Sequence, residues 1–407
     1  MTNQILSERE KKSVKWLTFI MFLIFAMTTD AVGVIIPEVI KTFGLTLTQA
    51  ATFHYATMIA IAVSGICLGY LGDRFGRKLT IVGGLALFAL ASFLFAVGSS
   101  FGFFLLLLVA IGTAVGIFKT AALALIGDIS STPAEHTKTM NLVEGFFGIG
   151  AIIGPALVVY LLAQGISWTY LYVVAGGLAV LLIVLASVSR YPEQAKEVDL
   201  SVNWKAAFSL AKDWYALFFS SGIALYVIVE CAIYVWMPTW FLEYDGNNPL
   251  LATYALSVFF ILRAAGRFLA VLVLNLMSWQ MAMVVCTGAI FVCYLGSIVL
   301  GVNYAVWLLP ASGLFMSLIY PTLNSKGISG FEPHKHSSAA GLILFFTAVA
   351  AAVGPLLMGV IGDFFGHLIF GFVFCAACAG VLFLGCIFNF IKDPSSQRLS
   401  AISLKHS

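Results

Sequence analysis

The sequence contains few charged residues. Asp, Glu, Lys and Arg together make up 10% of its 407 residues, whereas 61% are hydrophobic. A soluble domain carries about 25% charged residues, so this chain has too few of them to cover a surface that faces water. Lipid is therefore the expected solvent for most of it. The net charge is only +3 and the basic residues are spread over short loops, so no nucleic-acid-binding patch is predicted.

The sequence also lacks the patterns of a disulfide framework, a metal site or an enzyme. All seven cysteines fall inside apolar stretches, so no pair of loop cysteines is available. Cys375 and Cys378 have C-x-x-C spacing, but they lie in an apolar run without a second pair. No catalytic triad, phosphate-binding loop or Walker lysine is present. We therefore predict no catalytic residue, no metal, no cofactor and no direct use of ATP.

Long apolar runs fill the chain instead. A spanning helix needs about 20 apolar residues, and twelve runs of that size are bounded by Gly, Pro, Asn or charged residues. They lie near residues 16–37, 50–71, 79–98, 102–127, 140–164, 167–188, 213–240, 250–273, 279–300, 303–326, 337–361 and 367–391. The polar, basic residues 1–15 lead directly into the first run, without the cleavage site of a signal peptide. We predict an all-α membrane protein with twelve transmembrane helices in the lipid bilayer.

The hydrophilic segment 190–212 divides six runs from six others. We predict an N-terminal six-helix bundle over 1–189, a cytoplasmic linker over 190–212 and a C-terminal six-helix bundle over 213–407. The halves resemble each other, because residues 150–155 (GAIIGP) have a counterpart 200 residues later in 350–355 (AAAVGP). Internal repeats of this kind are typical of transporters in which one half rocks against the other around a site near the middle of the bilayer.

The basic residues predict the side of the membrane on which each loop lies, because cytoplasmic loops carry an excess of Lys and Arg. The loops on one side hold only Lys41. The loops on the other side hold Lys11, Lys12, Lys15, Arg74, Arg77, Lys78, Lys138, Arg190, Lys196, Lys205, Lys212, Lys335, Lys392, Arg398 and Lys405. Both termini are therefore expected in the cytoplasm, with the protein in the plasma membrane, which is the inner membrane of a bacterium.

A short motif between the second and third runs is the most specific one in the sequence. Residues 69–78 read GYLGDRFGRK. The glycines let two helices approach closely, Asp73 can cap a helix N-terminus, and the basic residues stay at the boundary between lipid and water. An ordinary positively charged loop would account for the basic residues but not for the ordered Gly and Asp among them.

This stretch resembles the loop motif of the major facilitator superfamily, G-x-L-x-D-R-x-G-R-K/R, at every defined position. With the arrangement of six and six spans, the resemblance covers the whole chain. It implies alternating access in two pseudo-symmetric bundles and a cytoplasmic gate made of Gly69, Asp73, Arg74, Gly76, Arg77 and Asp128. In that gate, Asp73 is expected near residues 337–345 and Arg77 near Asp128, which would hold the cytoplasmic side shut in the outward-open state. The second-half equivalent, residues 271–278, lacks these charges.

Three further stretches are similar to the fucose–galactose–hexose symporter branch of that superfamily. They are residues 263–268 (RAAGRF), 313–322 (GLFMSLIYPT) and 354–359 (GPLLMG). The fourth span differs, because Lys119 aligns where that branch keeps an acidic residue. The first span differs too, because the position at which that branch keeps an acidic residue aligns with Gly33, and Asp30 lies one turn earlier. The sugar and cation specificity of the branch is therefore not carried over.

Five charged residues lie well inside the predicted spans: Asp30, Lys119, Glu230, Arg263 and Arg267. A charge at the bilayer centre costs about 2.5–3.5 kcal/mol on insertion scales, so each needs a partner or a water-filled pathway. One interpretation is a set of fixed ion pairs, Asp30 with Lys119 and Glu230 with Arg263. In the other, spans one, four, seven and ten line the pathway, as in the family. Asp30 or Glu230 then takes up the coupling proton, while Lys119 and Arg263 bind the substrate.

Tyr234, Tyr320 and Asn324 on spans seven and ten are further candidates for substrate binding. We expect a monomeric, proton-driven symporter of a small polar solute. The resemblance favours a sugar as the substrate, whereas the basic residues favour a sugar acid or an organic anion. A drug or metabolite antiporter is the main alternative, although Val158 and Val159 replace the last glycines of the antiporter motif in span five. A solute sensor on the same fold is a third hypothesis, although the short tails lack the extra domain that such proteins usually carry.

Overall fold

The structure, a computed structural model, describes residues 7–68, 71–130, 132–192, 209–332 and 335–398. Within these ranges the chain forms helices and no β-strand. The membrane spans are numbered here in chain order. Spans 1 to 6 are Glu8–Thr29 with Val32–Phe43, Leu47–Leu68, Arg77–Leu94, Phe101–Ile129, Pro133–Ala163 and Tyr170–Val188. Spans 7 to 12 are Trp214–Trp240, Ala255–Leu276, Trp279–Leu300, Val302–Met316 with Ile319–Ser329, His336–Phe365 and Ile369–Lys392.

Eleven of these spans are long and apolar enough to cross a membrane, counted over the described residues. Span 2, Leu47–Leu68, has 22 residues and includes the polar residues Gln49 and His54. The all-α membrane fold predicted from the apolar runs is confirmed.

Helix starts follow local capping chemistry. The side chain of Ser100 accepts the N–H of Phe103 at the start of span 4, and Asp213 accepts the N–H of Tyr215 at the start of span 7. Ser278 does the same for span 9. Each cap satisfies a backbone donor that has no partner inside its own helix, which explains why these spans begin at the short polar residues between apolar runs.

The chain divides into two units. Unit 1 comprises Met1–Leu45 and Gln49–Val198, and unit 2 comprises Thr46–Thr48 and Asp199–Ser407. The short segment joins unit 2 because the backbone N–H groups of Leu47 and Thr48 donate to the Asp363 carboxylate, at 2.9 and 2.8 Å. Most of the predicted linker 190–212, namely residues 193–208, lies outside the described residues.

The order of helix packing is the same inside each unit. In unit 1, span 1 packs on spans 5 and 6, and span 3 packs on spans 4 and 6. In unit 2, span 7 packs on spans 11 and 12, and span 9 packs on spans 10 and 12. Each pairing recurs six spans later, which is the arrangement expected of an internal repeat.

Glycines bring the helices of unit 1 together. A Cβ atom at Gly150 would collide with the carbonyl oxygen of Leu23, and one at Gly154 would collide with that of Met27. Span 5 therefore lies directly on the backbone of span 1, a close approach that only small residues allow. The counterpart Gly354 on span 11 faces Ile228 of span 7.

Two spans that form single apolar runs in the sequence are interrupted in the structure. Span 1 breaks after Thr29, where Thr28 and Thr29 donate to carbonyl oxygens of the preceding turn and compete with the helix pattern. Span 10 breaks after Met316. Pro321 has no N–H to bond the carbonyl of Ser317, one turn earlier, so one helical hydrogen bond is absent at this interruption.

Candidate functional site

A buried ion pair lies between spans 7 and 8. Nη2 of Arg263 is 2.5 Å from Oε1 of Glu230, a residue that is only 8% exposed. The hydroxyl of Tyr226, one turn earlier on span 7, lies 2.9 Å from the same carboxylate oxygen and 3.0 Å from the carbonyl oxygen of Met316. The carboxylate is thus held by a guanidinium and a phenol, and the pair keeps the interior close to neutral. Of the pairings considered from the sequence, that of Glu230 with Arg263 is present.

The candidate substrate-binding aromatics lie around this pair. Tyr234 is one turn beyond Glu230 on span 7, with its hydroxyl 2.7 Å from Sγ of Cys231. The Tyr320 ring lies 6.4 Å from that of Tyr226, measured between centroids. Asn324 follows Tyr320 by one turn and is half-buried. The spacing of Tyr226, Glu230 and Tyr234 places them on one face of span 7.

Unit 1 holds a second polar cluster, around Lys119 of span 4. Its ammonium lies 4.9 Å from the centre of the Phe25 ring and 5.8 Å from that of Phe22, both on span 1. The carboxylates of Glu144 on span 5 and of Asp30 both exert an electrostatic attraction on Lys119. Asp30 is 8% exposed and lies at the break of span 1. Lys119 is thus surrounded by aromatic faces and attracted by two carboxylates.

Sequence reasoning missed Glu144. Its position in the chain is only a few residues into the predicted run 140–164, where a charge would belong to the membrane surface. In the structure span 5 begins at Pro133, which places Glu144 about three turns inside the helix. The available signal was the N-cap at Thr132 followed by Pro133, which marks the true start of the helix.

Sequence reasoning also missed His54. This residue of span 2 is fully buried, and it lines a pocket inside unit 1, too small to admit a water molecule, together with Thr28, Thr29, Thr57 and Tyr172. A single histidine in an otherwise apolar run was the only sequence signal. Thr28 and Thr29 precede the interruption of span 1, so this pocket lies beside that interruption.

The structure places part of the predicted gate together. Nε of Arg77 is 3.0 Å from Oδ2 of Asp128, the geometry that the family resemblance implies. Gly76 has φ +90°, which L side chains rarely adopt, so the turn requires glycine. The guanidinium of Arg74 lies 5.3 Å from the centre of the Phe75 ring. Gly69 and the side chain of Asp73 lie outside the described residues, so the approach of Asp73 to residues 337–345 stays a prediction.

Helices of membrane-spanning length, a repeated helix order and buried charges together define a multi-pass membrane carrier. A family model described as the Major Facilitator Superfamily matches residues 18–355. The chain belongs to this superfamily of membrane transporters.

Comparison with individual proteins supports the fold and leaves the substrate open. The chain is 23% identical over 369 residues to a glucose/galactose transporter of Brucella abortus, covering 86% of this chain and 88% of that protein. It is also 23% identical over 370 residues to the quinolone resistance protein NorA of Staphylococcus aureus, covering 86% and 90%. The crystal structure of the Escherichia coli fucose:proton symporter FucP superposes with a TM-score of 0.62 at 19% identity, covering 92% and 98%.

Proposed function

We propose that the protein is a proton-coupled symporter that moves a small polar solute by alternating access across the bacterial inner membrane. The observation that carries the proposal is the buried cluster of Tyr226, Glu230 and Arg263. A charge inside a membrane protein is costly, and here the carboxylate is kept beside a guanidinium that balances it. One proton is enough to change the charge of this cluster, which is the property that coupling requires.

The chemistry of the pair links proton uptake to solute binding. Protonation of Glu230 removes the negative charge that faces Arg263. The guanidinium can then bind a carboxylate or the hydroxyl groups of a sugar, because guanidinium donors match such groups in a planar fork. Deprotonation restores the ion pair and displaces the solute. Each event therefore favours the other, as symport requires.

The cluster in unit 1 bears on the class of solute. The ammonium of Lys119, held beside the buried Phe22 and Phe25 rings, favours an anionic group. The glucose/galactose transporter and the fucose:proton symporter are similar proteins whose names specify sugars. The proposed substrates are therefore sugars, sugar acids and small organic anions.

Uptake into proteoliposomes tests the proposal. Purified protein is reconstituted, an inward proton gradient is imposed, and uptake of labelled neutral sugars, sugar acids and small carboxylates is measured with and without a protonophore. The wild type should accumulate one of these classes only while the gradient lasts. Glu230→Gln and Asp30→Asn each remove a candidate proton acceptor. At least one of them should abolish accumulation and still allow downhill exchange.

Two further variants serve as a control and as a test of the substrate class in that assay. Asp245→Asn removes a carboxylate from an exposed loop and should leave accumulation unchanged. Lys119→Ala should abolish uptake of an anionic solute and spare that of a neutral sugar, which identifies the class. Full gradient-driven accumulation by both Glu230→Gln and Asp30→Asn would contradict the proposed coupling.

Proton-driven drug efflux is the second candidate. It is favoured by the similarity to NorA, which matches this chain as well as the sugar transporter does. The glycines of span 5 that resemble the antiporter motif also contact span 1. Efflux predicts that quinolones or lipophilic cations leave the vesicles in exchange for protons, with no gradient-driven uptake of polar solutes. The same reconstituted vesicles separate the two functions.

A further inference from the structure

A cavity of about 460 Å³ lies at the end of unit 1 that carries the basic motif, between spans 3 and 6. It is formed on one side by the turn before span 3 and the first residues of that span, and on the other by the residues that end span 6. Its lining includes Phe75, Arg77, Lys78, Leu79, Tyr191 and Pro192. Gly76 and Arg77 of the predicted gate belong to its lining, but none of the residues proposed to bind the substrate or the coupling proton does.

Lys78 supplies the charge of this cavity. Its ammonium donates to the carbonyl oxygens of Ser187 and Ser189, at 2.6 and 3.0 Å, and lies 5.9 Å from the centre of the Tyr191 ring. An ammonium has three donors, so two carbonyl contacts leave one N–H for another acceptor. The carbonyl oxygens fix the position of the ammonium without neutralising it.

The other charges nearby leave the cavity positive. Arg77 also lines it, but the carboxylate of Asp128 balances its guanidinium. Arg74 adds a positive charge, because its guanidinium lies over Phe75, a lining residue. No carboxylate occurs among the described lining residues. A ligand of opposite charge is therefore favoured.

One wall of the cavity is apolar and exposed. Phe75 is 53% and Leu79 is 61% exposed, and Val82 lies one turn further along span 3. On a protein whose solvent is lipid, exposed apolar side chains next to a basic group face acyl chains, while the basic group lies at the level of the phosphates. The occupant must combine an anionic head with a hydrocarbon tail.

We propose that this cavity binds an anionic phospholipid, whose phosphate accepts the remaining N–H of Lys78 and whose acyl chains cover Leu79 and Val82. A free phosphate ion would satisfy the charge but not the apolar wall. The chain's own acidic residues Glu193, Glu197 and Asp199, which follow Pro192 in sequence, are the competing occupant. The bound lipid would tie span 3, and with it the turn at Gly76, to the end of span 6.

Native mass spectrometry of the full chain tests this proposal. Protein in a mild detergent is given an equimolar mixture of phosphatidylglycerol and phosphatidylcholine, and the lipids that remain bound are counted. The wild type should retain phosphatidylglycerol in preference. Lys78→Gln keeps donors for the carbonyls of Ser187 and Ser189 but removes the charge. Its affinity for phosphatidylglycerol should fall about fivefold, the effect of one basic residue at an anionic surface.

Matched variants make the result specific. Lys138→Gln removes the same charge from an exposed position on span 5 and should retain the lipid like the wild type. Lys78→Arg keeps the charge and should retain it too. If Lys78→Gln does not fold, the proposal still requires that wild type and Lys78→Arg prefer phosphatidylglycerol and that inorganic phosphate does not displace it at equal concentration.

Three results would overturn the proposal. The first is equal retention of phosphatidylglycerol by the wild type and folded Lys78→Gln. The second is displacement of the lipid by an equal concentration of inorganic phosphate, which would make the cavity a simple anion site. The third is retention that begins only when Glu193, Glu197 and Asp199 are replaced by their amides, which would identify the acidic segment as the occupant.

Discussion

Two of the three intramembrane cations that the sequence brings to attention, Arg263 and Lys119, are held by different means. Arg263 contacts a carboxylate directly, whereas Lys119 lies against two aromatic rings, with its acidic partners acting through their field. A cation–π contact contributes about 0.5–2 kcal/mol, and the loss of one partner from a buried ion pair costs about 3–5 kcal/mol. Arg263 is thus bound more firmly to its partner, and Lys119 is better placed to exchange its surroundings for a solute.

At the scale of single residues, the ion pair of Glu230 and Arg263 should contribute measurably to the stability of the protein. Glu230→Gln leaves the Arg263 charge inside the membrane without its carboxylate, so we expect the free energy of unfolding to fall by about 3–5 kcal/mol. Arg263→Gln leaves Glu230 charged and should have a similar effect. The double variant removes both charges, so its loss in free energy of unfolding should be smaller than the sum of the two single losses. Thermal unfolding in detergent at pH 7 measures the three variants as a double-mutant cycle.

The control for this cycle is Tyr226→Phe, which removes the hydroxyl shared between Glu230 and the Met316 carbonyl and no charge. It should cost about 1 kcal/mol. Strictly additive losses from the two single charge variants would mean that Glu230 and Arg263 do not interact in the folded protein.

At the scale of helices, span 5 carries the clearest packing requirement. Its glycines place the helix on the backbone of span 1, where a Cβ at Gly154 would meet the carbonyl group of Met27. Gly154→Ala should therefore force the two helices apart and cost on the order of 1–3 kcal/mol. The measurement is the thermal unfolding temperature in detergent, compared with the wild type.

The same helix offers the matched control. A Cβ at Gly145 meets nothing within 4 Å, and alanine is a better helix former than glycine by about 1 kcal/mol. Gly145→Ala should thus be neutral or stabilising. If both substitutions had the same effect, contact between spans 1 and 5 would not be what requires glycine at position 154.

The interruptions of spans 1 and 10 belong to this scale as well. Transporter sites are commonly built where helices are discontinuous. Here the break in span 1 lies at Asp30, and that in span 10 lies beside Tyr226, whose hydroxyl contacts the Met316 carbonyl. Each break supplies polar groups to one of the two clusters, which links the irregular backbone to the proposed coupling.

At the scale of the whole molecule, the distribution of basic residues predicts the orientation in the membrane. Alkaline phosphatase is active only outside the cytoplasm. Fusions after Gly98 and Asp245, in loops with no basic residue, should be active, and fusions after Arg190 and Asp393 should be inactive. The reason is the excess of Lys and Arg on one side. Active fusions at Arg190 and Asp393 would reverse the orientation.

Some particular contacts could be predicted from the sequence and others could not. Arg77 was expected beside Asp128 because the family resemblance implies that contact, and Glu230 was considered with Arg263 because unpaired charges inside a membrane are rare. Glu144 and His54 escaped notice, since one stood at the edge of an apolar run and the other was alone in it. The interruption after Met316 could not be predicted from Pro321 alone, because Pro155, Pro238 and Pro355 lie inside unbroken helices.

The sequence by itself determined the class of protein, the approximate positions of the spans and the family. The physical reason is that partition into lipid depends on the length and composition of each run, which are local properties of the chain. Only the tertiary structure decided which charges meet. The approach of Glu144 to Lys119, or of Arg263 to Glu230, depends on the rotation and depth of each helix. Those are determined by contacts between residues distant in sequence, such as Gly154 with Met27.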